Sequence, residues 1–540
     1  MYVSSFFGTD GIRGKTSLDA LDEETAIRCL EEERTLTPAF MRVLGEALSH
    51  TQPALPGTGG VVVIGWDRRP HNIALVKALT QGLRLTGSRV IHVGECATPT
   101  LHHAVLAFEA RMGCMITASH NPVSDSGIKV FDANGYKSTR TYEQDVSRTL
   151  RQLASEDREV DATDRALASQ PDEERFDWPR LTHPRWLQQR WTLFEATFGQ
   201  LDTARLQEPF LLDCSGGFAA SWLAEWLTEN GLACTEVSHE VEALNHHCGA
   251  GDFSPTQTWT HEEAAASSHA LLKQLKPAKA GQWVGAALDG DGDRCLVVEA
   301  TETGYKVVDG DAMGALLMTS GAARGWAFAA SIESDVALMG YIASLNDENT
   351  CAETAVGDRW LSFYLRPEHG GLFEQETMPR CLGIEDSGHA VMAAPYPSKP
   401  GRWSLVGDGA ATLCAVLLAS GKGRLGTFNR GWKRRVSITE SHRERWHPDA
   451  DIHGRVEQHL IHALNEAGFE AQSRRIDGED NLLLIHATKG NHVVSYGIRN
   501  SGTQAKTSLS LRLSPGLEPT VFETTLGEIK AMLVDVLTGN

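Results

Sequence analysis

The sequence predicts an α/β protein of several domains, opening on a mostly parallel, doubly wound sheet and ending on a domain of different pattern. Three observations carry this. With 540 residues the chain is too long for one hydrophobic core, and at ~150 residues per domain it suggests three or four. Short apolar runs alternate with helical patterns through the first 420 residues, the mark of strand–helix–strand units. Beyond residue 431 the alternation stops: a helical pattern at 456–467 precedes two strand patterns at 482–486 and 493–497.

Composition narrows the function. Hydrophobic residues make up 41% and charged residues 22%, as in ordinary globular proteins. A net charge of −20 argues against a general nucleic-acid binder, which needs basic surface to displace counterions. An anionic ligand would need Arg and Lys gathered locally. The ten cysteines are scattered without C-x-x-C pairs, which fits a reducing compartment. The start Met1–Ser5 lacks the basic and apolar parts of a signal peptide, and no apolar run approaches the ~20 residues of a membrane span. The expectation is a cytoplasmic protein with neither nucleic-acid nor membrane partners.

In the first unit, Thr37-Pro38 are N-cap and first residue of a helix over 36–48. A strand over 61–64, a helix over 73–86 and strands over 89–93 and 113–117 follow. The last strand delivers Ser119 and His120 into a polar turn, because Pro122 has no N–H and pushes Asn121 towards an extended conformation. Near the N-terminus, FFGTDGIRG (6–14) is a glycine-dense loop holding one carboxylate and Arg13. It is not a P-loop, since Thr9 stands where that motif needs Gly. From Glu156 to Asp177, nine acidic residues face three basic ones, which reads as a solvated connection between domains.

The alternation restarts with a strand at 210–213 and a helix at 221–230. Asn245-His246-His247-Cys248 holds three potential zinc ligands, but adjacent side chains cannot readily converge on one tetrahedral ion. A strand at 284–288 runs into Asp289-Gly-Asp291-Gly-Asp293-Arg294. Three carboxylates at alternate positions repel one another unless a cation compensates, and oxygen-only ligation suits Mg2+ or Ca2+. An EF-hand is excluded by Arg294 and Ala300 at its sixth and twelfth positions. The third unit, from about Tyr305, has a strand at 327–332, helices at 336–344 and 409–420, and the loop Gly383-Ile-Glu385-Asp-Ser387-Gly-His389, a set of groups that can grasp hydroxyls. A basic stretch, Lys433-Arg434-Arg435, opens the last domain. There Arg499-Asn-Ser501-Gly502-Thr503 lies between two strands and offers donors that suit a phosphate dianion.

Four of these stretches, TASHNP with GIK and Phe131, DGDGDR, GIEDSGH and RNSGT, resemble in order the four functional loops of the α-D-phosphohexomutases. The resemblance implies three similar mixed α/β domains and a smaller C-terminal α+β domain around a central cleft, here divided as 1–180, 181–303, 304–430 and 431–540. It implies that Ser119 carries a phosphoryl group and that Mg2+ lies between Ser119 and Asp289, Asp291 and Asp293. Arg13, His120, Lys129 and Arg294 become candidates for neutralising charge and moving a proton. Asp358, Arg359, Glu385, Ser387 and His389 would hold the sugar, and Arg499, Ser501, Gly502 and Thr503 its phosphate. The partner implied is a small sugar phosphate, with a hexose 1,6-bisphosphate as intermediate and activator, on a monomer or homodimer. FGTDGIRG, 245–249 and 357–359 resemble the phosphoglucosamine mutase branch, so glucosamine phosphate is the expected substrate. Mannose or glucose phosphate is the alternative, and a non-catalytic sugar-phosphate sensor the alternative of another class. Ile384 in place of a glycine and Gln504-Ala505 in place of Glu-Pro depart from the family pattern.

Overall fold

Val62, Val63 and Ile64 are all fully buried, so the strand Val61–Trp66 must be covered on both faces. Val62 and Ile64 face one apolar cluster, built with helices Pro38–Thr51, Asn72–Leu85 and Arg140–Ala154. Val63 faces another, built with helix Thr98–Ala107. In the computed structural model, which describes residues 5–51, 60–156, 166–421, 428–501 and 505–539, this strand lies within a seven-stranded sheet. Its spatial order is Thr35–Leu36, Ile12–Thr16, Asp125–Asp132, Met112–Ile116, Val61–Trp66, Arg89–Glu95 and Glu173–Glu174.

The sheet is mostly parallel, as expected, but one strand is reversed. Asp125–Asp132 runs antiparallel to both Met112–Ile116 and Ile12–Thr16. The connection over 117–124 is too short for the crossover a parallel partner would need. Two six-stranded sheets repeat this device. In the second, Trp283–Leu288 pairs parallel with Leu206–Asp213 and antiparallel with Cys295–Ala300. In the third, Cys381–Ile384 pairs parallel with Ala327–Ser331 and antiparallel with Ala390–Pro395. The Ser119, Asp289–Asp293 and Glu385–His389 loops are therefore equivalent hairpin connections of three sheets. The fourth sheet has five strands, all antiparallel, backed by helices Asp451–Glu466 and Thr520–Thr538.

Two expected boundaries shift, and one segment reads differently. Gly304–Val308 pairs with Cys295–Ala300, so it closes the second sheet rather than opening the third unit. The division at 180 falls inside helix Trp178–Phe198, whose Leu187, Trp191, Phe194 and Phe198 enter the apolar core shared by the second and third units. The acidic stretch is not simply solvated. Residues 157–165 lie outside the described residues, but Glu173–Glu174 adds a parallel edge strand to Arg89–Glu95. Its charge is met there by Arg84 on Asp172 and by Arg89 and Arg175 on Glu173. Basic residues on the neighbouring elements were invisible to a reading of the segment alone.

Helix Trp178–Phe198 also locks the metal-loop side of the molecule. Fully buried Arg190 donates from Nη1 to Asp408 Oδ2 at 2.6 Å, and Asp408 caps helix Gly409–Ser420. Gly409 N in turn donates to Gly292 O at 2.9 Å. Arg190→Leu would strand the Asp408 carboxylate without its cation, and should cost ~3–5 kcal/mol of unfolding free energy. A urea titration followed by circular dichroism measures this; an unchanged midpoint contradicts the assignment.

Candidate active site

The Ser119 turn is shaped from below by Asp67, Arg69 and Asn245. Arg69 sends its two terminal nitrogens to the carbonyls of Ser119, Asn121, Pro122 and Asp125 at 2.5–2.9 Å. Thr117 Oγ1 donates to Asp67 Oδ2 at 2.7 Å and accepts from Ser119 N at 2.8 Å. Asn245 Nδ2 donates to Ser119 O at 2.8 Å. The segment 245–248 thus braces the serine loop, as its poor zinc spacing allows. Ser119 itself is buried with φ +54°, in the left-handed region, and the surrounding bonds hold it there.

Ser119 Oγ donates to Asp289 Oδ2 at 2.7 Å, which brings the first sheet's hairpin onto that of the second. Gly290 permits the approach: a Cβ there would stand 2.7 Å from Asn245 Nδ2 and 2.9 Å from Ser119 O. Asp291 Oδ2 accepts from Thr98 Oγ1 at 2.5 Å and from Lys129 Nζ at 2.6 Å, and the same ammonium reaches Asp293 Oδ2 at 2.6 Å. One oxygen of each aspartate lies within 4.8 Å of the others. Asp291 Oδ1 is buried and has no hydrogen-bond partner. Hard oxygen donors, converging and partly unsatisfied, fit a divalent cation such as Mg2+.

The electrostatics follow from burial. Desolvation and the neighbouring Asp293 and Asp291 push the Asp289 carboxyl up to about 7. Burial opposes the charge on Lys129, but Asp10, Asp291 and Asp293 outweigh it and hold its pKa well above the usual value. Lys129 is therefore a fixed cation, not the titrating group its type allowed. His120, whose Nδ1 lies 3.4 Å from Ser119 Oγ, goes the other way: burial, then Arg294 and Arg13, keep it neutral. It can accept a proton but does not neutralise charge. Arg294 Nε stands 3.8 Å from Asp289 Oδ2, and Arg13 Nη1 donates to Ala118 O at 3.2 Å.

The third sheet's hairpin packs against the second's. Cys295 N donates to Gly388 O at 3.0 Å, and a Cβ on Gly388 (φ +86°) would lie 2.1 Å from Cys295 O. His389 sits between Asp293 Oδ1 (3.4 Å) and Asp358 Oδ2 (3.1 Å), and these carboxylates raise it to about 10 against the opposing effect of burial. Glu385 Oε1 accepts from Gly357 N at 2.7 Å, and Ser387 Oγ lies 3.4 Å from Glu385 Oε2. Ile384, the departure in this loop, is fully buried against helix Gly310–Ser320, away from the loop's polar groups.

Ser119, His120, Arg13, Lys129, the three aspartates, Arg294, Asp358 and His389 thus meet in one network. Two other expected ligands have protein partners instead. Arg359 forms a two-pronged pair with Glu143, with one contact of 2.8 Å from Nη1 to Oε2. Arg499 donates to Glu333 Oε1 at 3.1 and 3.2 Å. Ser501 N donates to Lys506 O at 2.7 Å, while Gly502 and Thr503 lie outside the described residues. Asp10 and Lys137 were missed. Lys137 Nζ reaches Asp10 at 2.8 Å and Asp358 at 3.0 Å. The FFGTDGIRG loop flagged the first residue; nothing local flags the second. Asp291→Asn should weaken Mg2+ binding by at least the ~10–100-fold that loss of a supporting partner costs. Calorimetric titration with MgCl2 checks it, and an unaltered isotherm would remove Asp291 from the ligand set.

Residues 4–157 match the α/β/α domain I of the phosphoglucomutase/phosphomannomutase family. The phosphoglucosamine mutase of Roseobacter denitrificans is 31% identical over 394 residues, covering 72% of this chain and 74% of that protein. Among solved structures, a phosphoglucomutase/phosphomannomutase family protein from Burkholderia thailandensis superposes with a TM-score of 0.59 at 19% identity, over 98% of both chains. Aspergillus fumigatus N-acetylphosphoglucosamine mutase, solved with GlcNAc-6P and magnesium and also with glucose 1,6-bisphosphate, gives TM-scores of 0.52 and 0.53 at 14% identity, over 92% of this chain and 99% of that one. Shared sequence over most of its length, and a shared fold of sheets and hairpin loops, place this chain in the α-D-phosphohexomutase family of isomerases.

Proposed function

We propose that the protein moves a phosphoryl group between O6 and O1 of a hexosamine phosphate, with glucosamine 6-phosphate and glucosamine 1-phosphate as its pair. The observation that carries the chemistry is Ser119 Oγ, buried and 2.7 Å from a carboxylate of the aspartate loop. The sugar rests on the phosphoglucosamine mutase of Roseobacter denitrificans, 31% identical to this chain.

Phosphoryl transfer is mostly positioning and charge neutralisation. In the first half-reaction a sugar hydroxyl attacks the phosphorus on phospho-Ser119. The P–Oγ bond breaks, and the bisphosphorylated sugar forms as the hydroxyl gives up its proton. The bisphosphate then turns over and returns its other phosphoryl group to Ser119. Asp289, Asp291 and Asp293 would hold Mg2+, which when bound supplies positive charge beside the transferring phosphoryl oxygens. Lys129, Arg13 and Arg294 add fixed positive charge, and neutral His120 is the residue able to take the hydroxyl proton. Glu385, Ser387, Asp358 and His389 would face the sugar hydroxyls, with Arg359 at their edge. Arg499, Ser501, Gly502 and Thr503 would hold the phosphate that is not reacting. The substrate is a small sugar phosphate, and a hexose 1,6-bisphosphate would recharge Ser119. No helix among the described residues is long and apolar enough to cross a membrane.

A coupled assay across glucosamine, N-acetylglucosamine, glucose and mannose phosphates tests the substrate; glucosamine phosphate should give the highest kcat/KM. Ser119→Ala removes one hydroxyl and almost no packing, so turnover should drop to the no-enzyme level while the fold persists. Residual turnover without another phosphorylated residue in the mass spectrum would end the phosphoserine reading. Arg499→Ala should raise KM for the sugar phosphate about 10- to 150-fold, the ~1.5–3 kcal/mol of a charge-assisted pair, with a smaller effect on kcat. An unmoved KM would leave Arg499 as the partner of Glu333 alone.

A further inference from the structure

Thr98 begins the helix Thr98–Ala107, just beyond the strand Arg89–Glu95, and is buried. Its hydroxyl and its backbone both meet the aspartate loop of the second unit. Thr98 Oγ1 donates to Asp291 Oδ2 at 2.5 Å, and Thr98 N donates to Asp291 O at 2.8 Å. Ala97, at the cap position, has no side-chain hydrogen bond to give, so the loop carbonyl satisfies an N–H that the helix itself leaves open. The Asp291 carboxylate thereby sits at the positive end of the helix. Small residues let the two elements meet: a Cβ on Gly292 (φ +73°) would stand 3.2 Å from the Ala97 Cβ.

Each aspartate of the loop has one oxygen engaged by the protein. Asp289 Oδ1 accepts from the backbone N–H groups of Asp293 and Arg294, both at 3.1 Å, and Asp293 Oδ2 accepts from Lys129. On Asp291 the engaged oxygen is Oδ2, held by Thr98 and Lys129 together, while Oδ1 is buried with no hydrogen-bond partner. Lys129 by itself is a poor clamp on this carboxylate, because its ammonium is shared with Asp293 and Asp10. A hydroxyl has a single proton to donate, and Thr98 directs it at Asp291.

We propose that Thr98 is a positioning residue that selects the cation: it holds Asp291 Oδ2 back, so that Asp291 offers one oxygen, Oδ1, rather than two. The inference rests on the reading that the three aspartates hold the ion. Mg2+ takes single oxygens in a near-octahedral shell and keeps several waters, whereas Ca2+ takes more oxygens and often both of one carboxylate. Three aspartates with one oxygen each turned to the protein therefore favour the smaller ion. Without the Thr98 hydroxyl, Asp291 is free to turn both oxygens towards a larger one.

Calorimetric titrations of the full chain with MgCl2 and with CaCl2 test this on Thr98→Val, which replaces the hydroxyl by a methyl of similar size and keeps the backbone N–H on Asp291 O. Mg2+ binding should weaken about 10- to 100-fold, the cost of losing a supporting partner of a metal ligand, and Ca2+ binding should weaken less. Thr98→Ser keeps the hydroxyl and should restore the preference of the unsubstituted protein. Unchanged Mg2+ affinity in Thr98→Val overturns the proposal. So does an equal loss for both ions, which a general loosening of the loop would produce. If the valine variant does not fold, Thr98→Ala and Thr98→Ser decide: they differ by one oxygen, and an equal preference for Mg2+ over Ca2+ in the two overturns the proposal. The Asp291→Asn titration separates the two readings. Unaltered Mg2+ binding there means that the aspartate-loop reading has failed and takes this proposal with it. Weakened binding there, beside unaltered binding in Thr98→Val, faults Thr98 alone.

Discussion

Everything near the centre of this protein depends on compensating a set of buried carboxylates. Asp289, Asp291, Asp293 and Asp358 are buried and Asp10 nearly so. Ionised groups taken from water cost several kcal/mol each unless they are paired. The pairing is supplied across units. The first contributes Asp10, Lys129 and Lys137, the second its three aspartates, the third Asp358 and His389. Lys129 of the first unit pairs with Asp291 and Asp293 of the second, and His389 of the third lies 3.4 Å from Asp293. Docking of the sheets and burial of the charges are therefore one event, and a divalent cation would join a balance already set by Lys129.

The hairpin device explains why three loops can reach one place. In each of the first three sheets, a strand running parallel to its neighbour turns back at once into an antiparallel partner. The turn then projects beyond the sheet edge, where the other units can approach it. The fourth unit docks by charge: Lys433 pairs with Asp311 and Asp386, and Arg435 with Glu333. Asp386 lies in the Glu385–His389 loop, so this loop is tethered to the C-terminal unit as well as to the aspartate loop. The basic stretch 433–435 is thus an internal fastening rather than a surface for an outside polyanion.

Much of the site was legible because its chemistry is local. Three aspartates alternating with glycines are repulsive without a cation; the serine before Asn-Pro, by itself an ordinary turn residue, was legible only through the resemblance of its whole stretch to a family loop. Arg69, Thr98, Lys137 and Asn245 left no such trace. Each acts by reaching a loop 50 or more residues away, and an ordinary Arg, Thr, Lys or Asn shows nothing of that in its own neighbourhood. Residue type also misled where the environment decides the charge: Lys129 and His120 both could titrate, yet three carboxylates outweigh burial and fix the first as a cation, while burial, then two guanidiniums, keep the second neutral.

The sequence by itself determined the four loops, their order, the α/β character of the first three units and the different pattern of the fourth, because apolar periodicity and loop chemistry are properties of short stretches. Only the tertiary structure decided that the sheets are mixed, that Gly304–Val308 belongs to the second, and that the acidic segment ends as an edge strand beside Arg84 and Arg89. Only it decided that Arg359 and Arg499 face Glu143 and Glu333. The physical reason is the same throughout: strand pairing and charge compensation are made between segments far apart in the chain. The energy of a charged group is set by what is buried beside it.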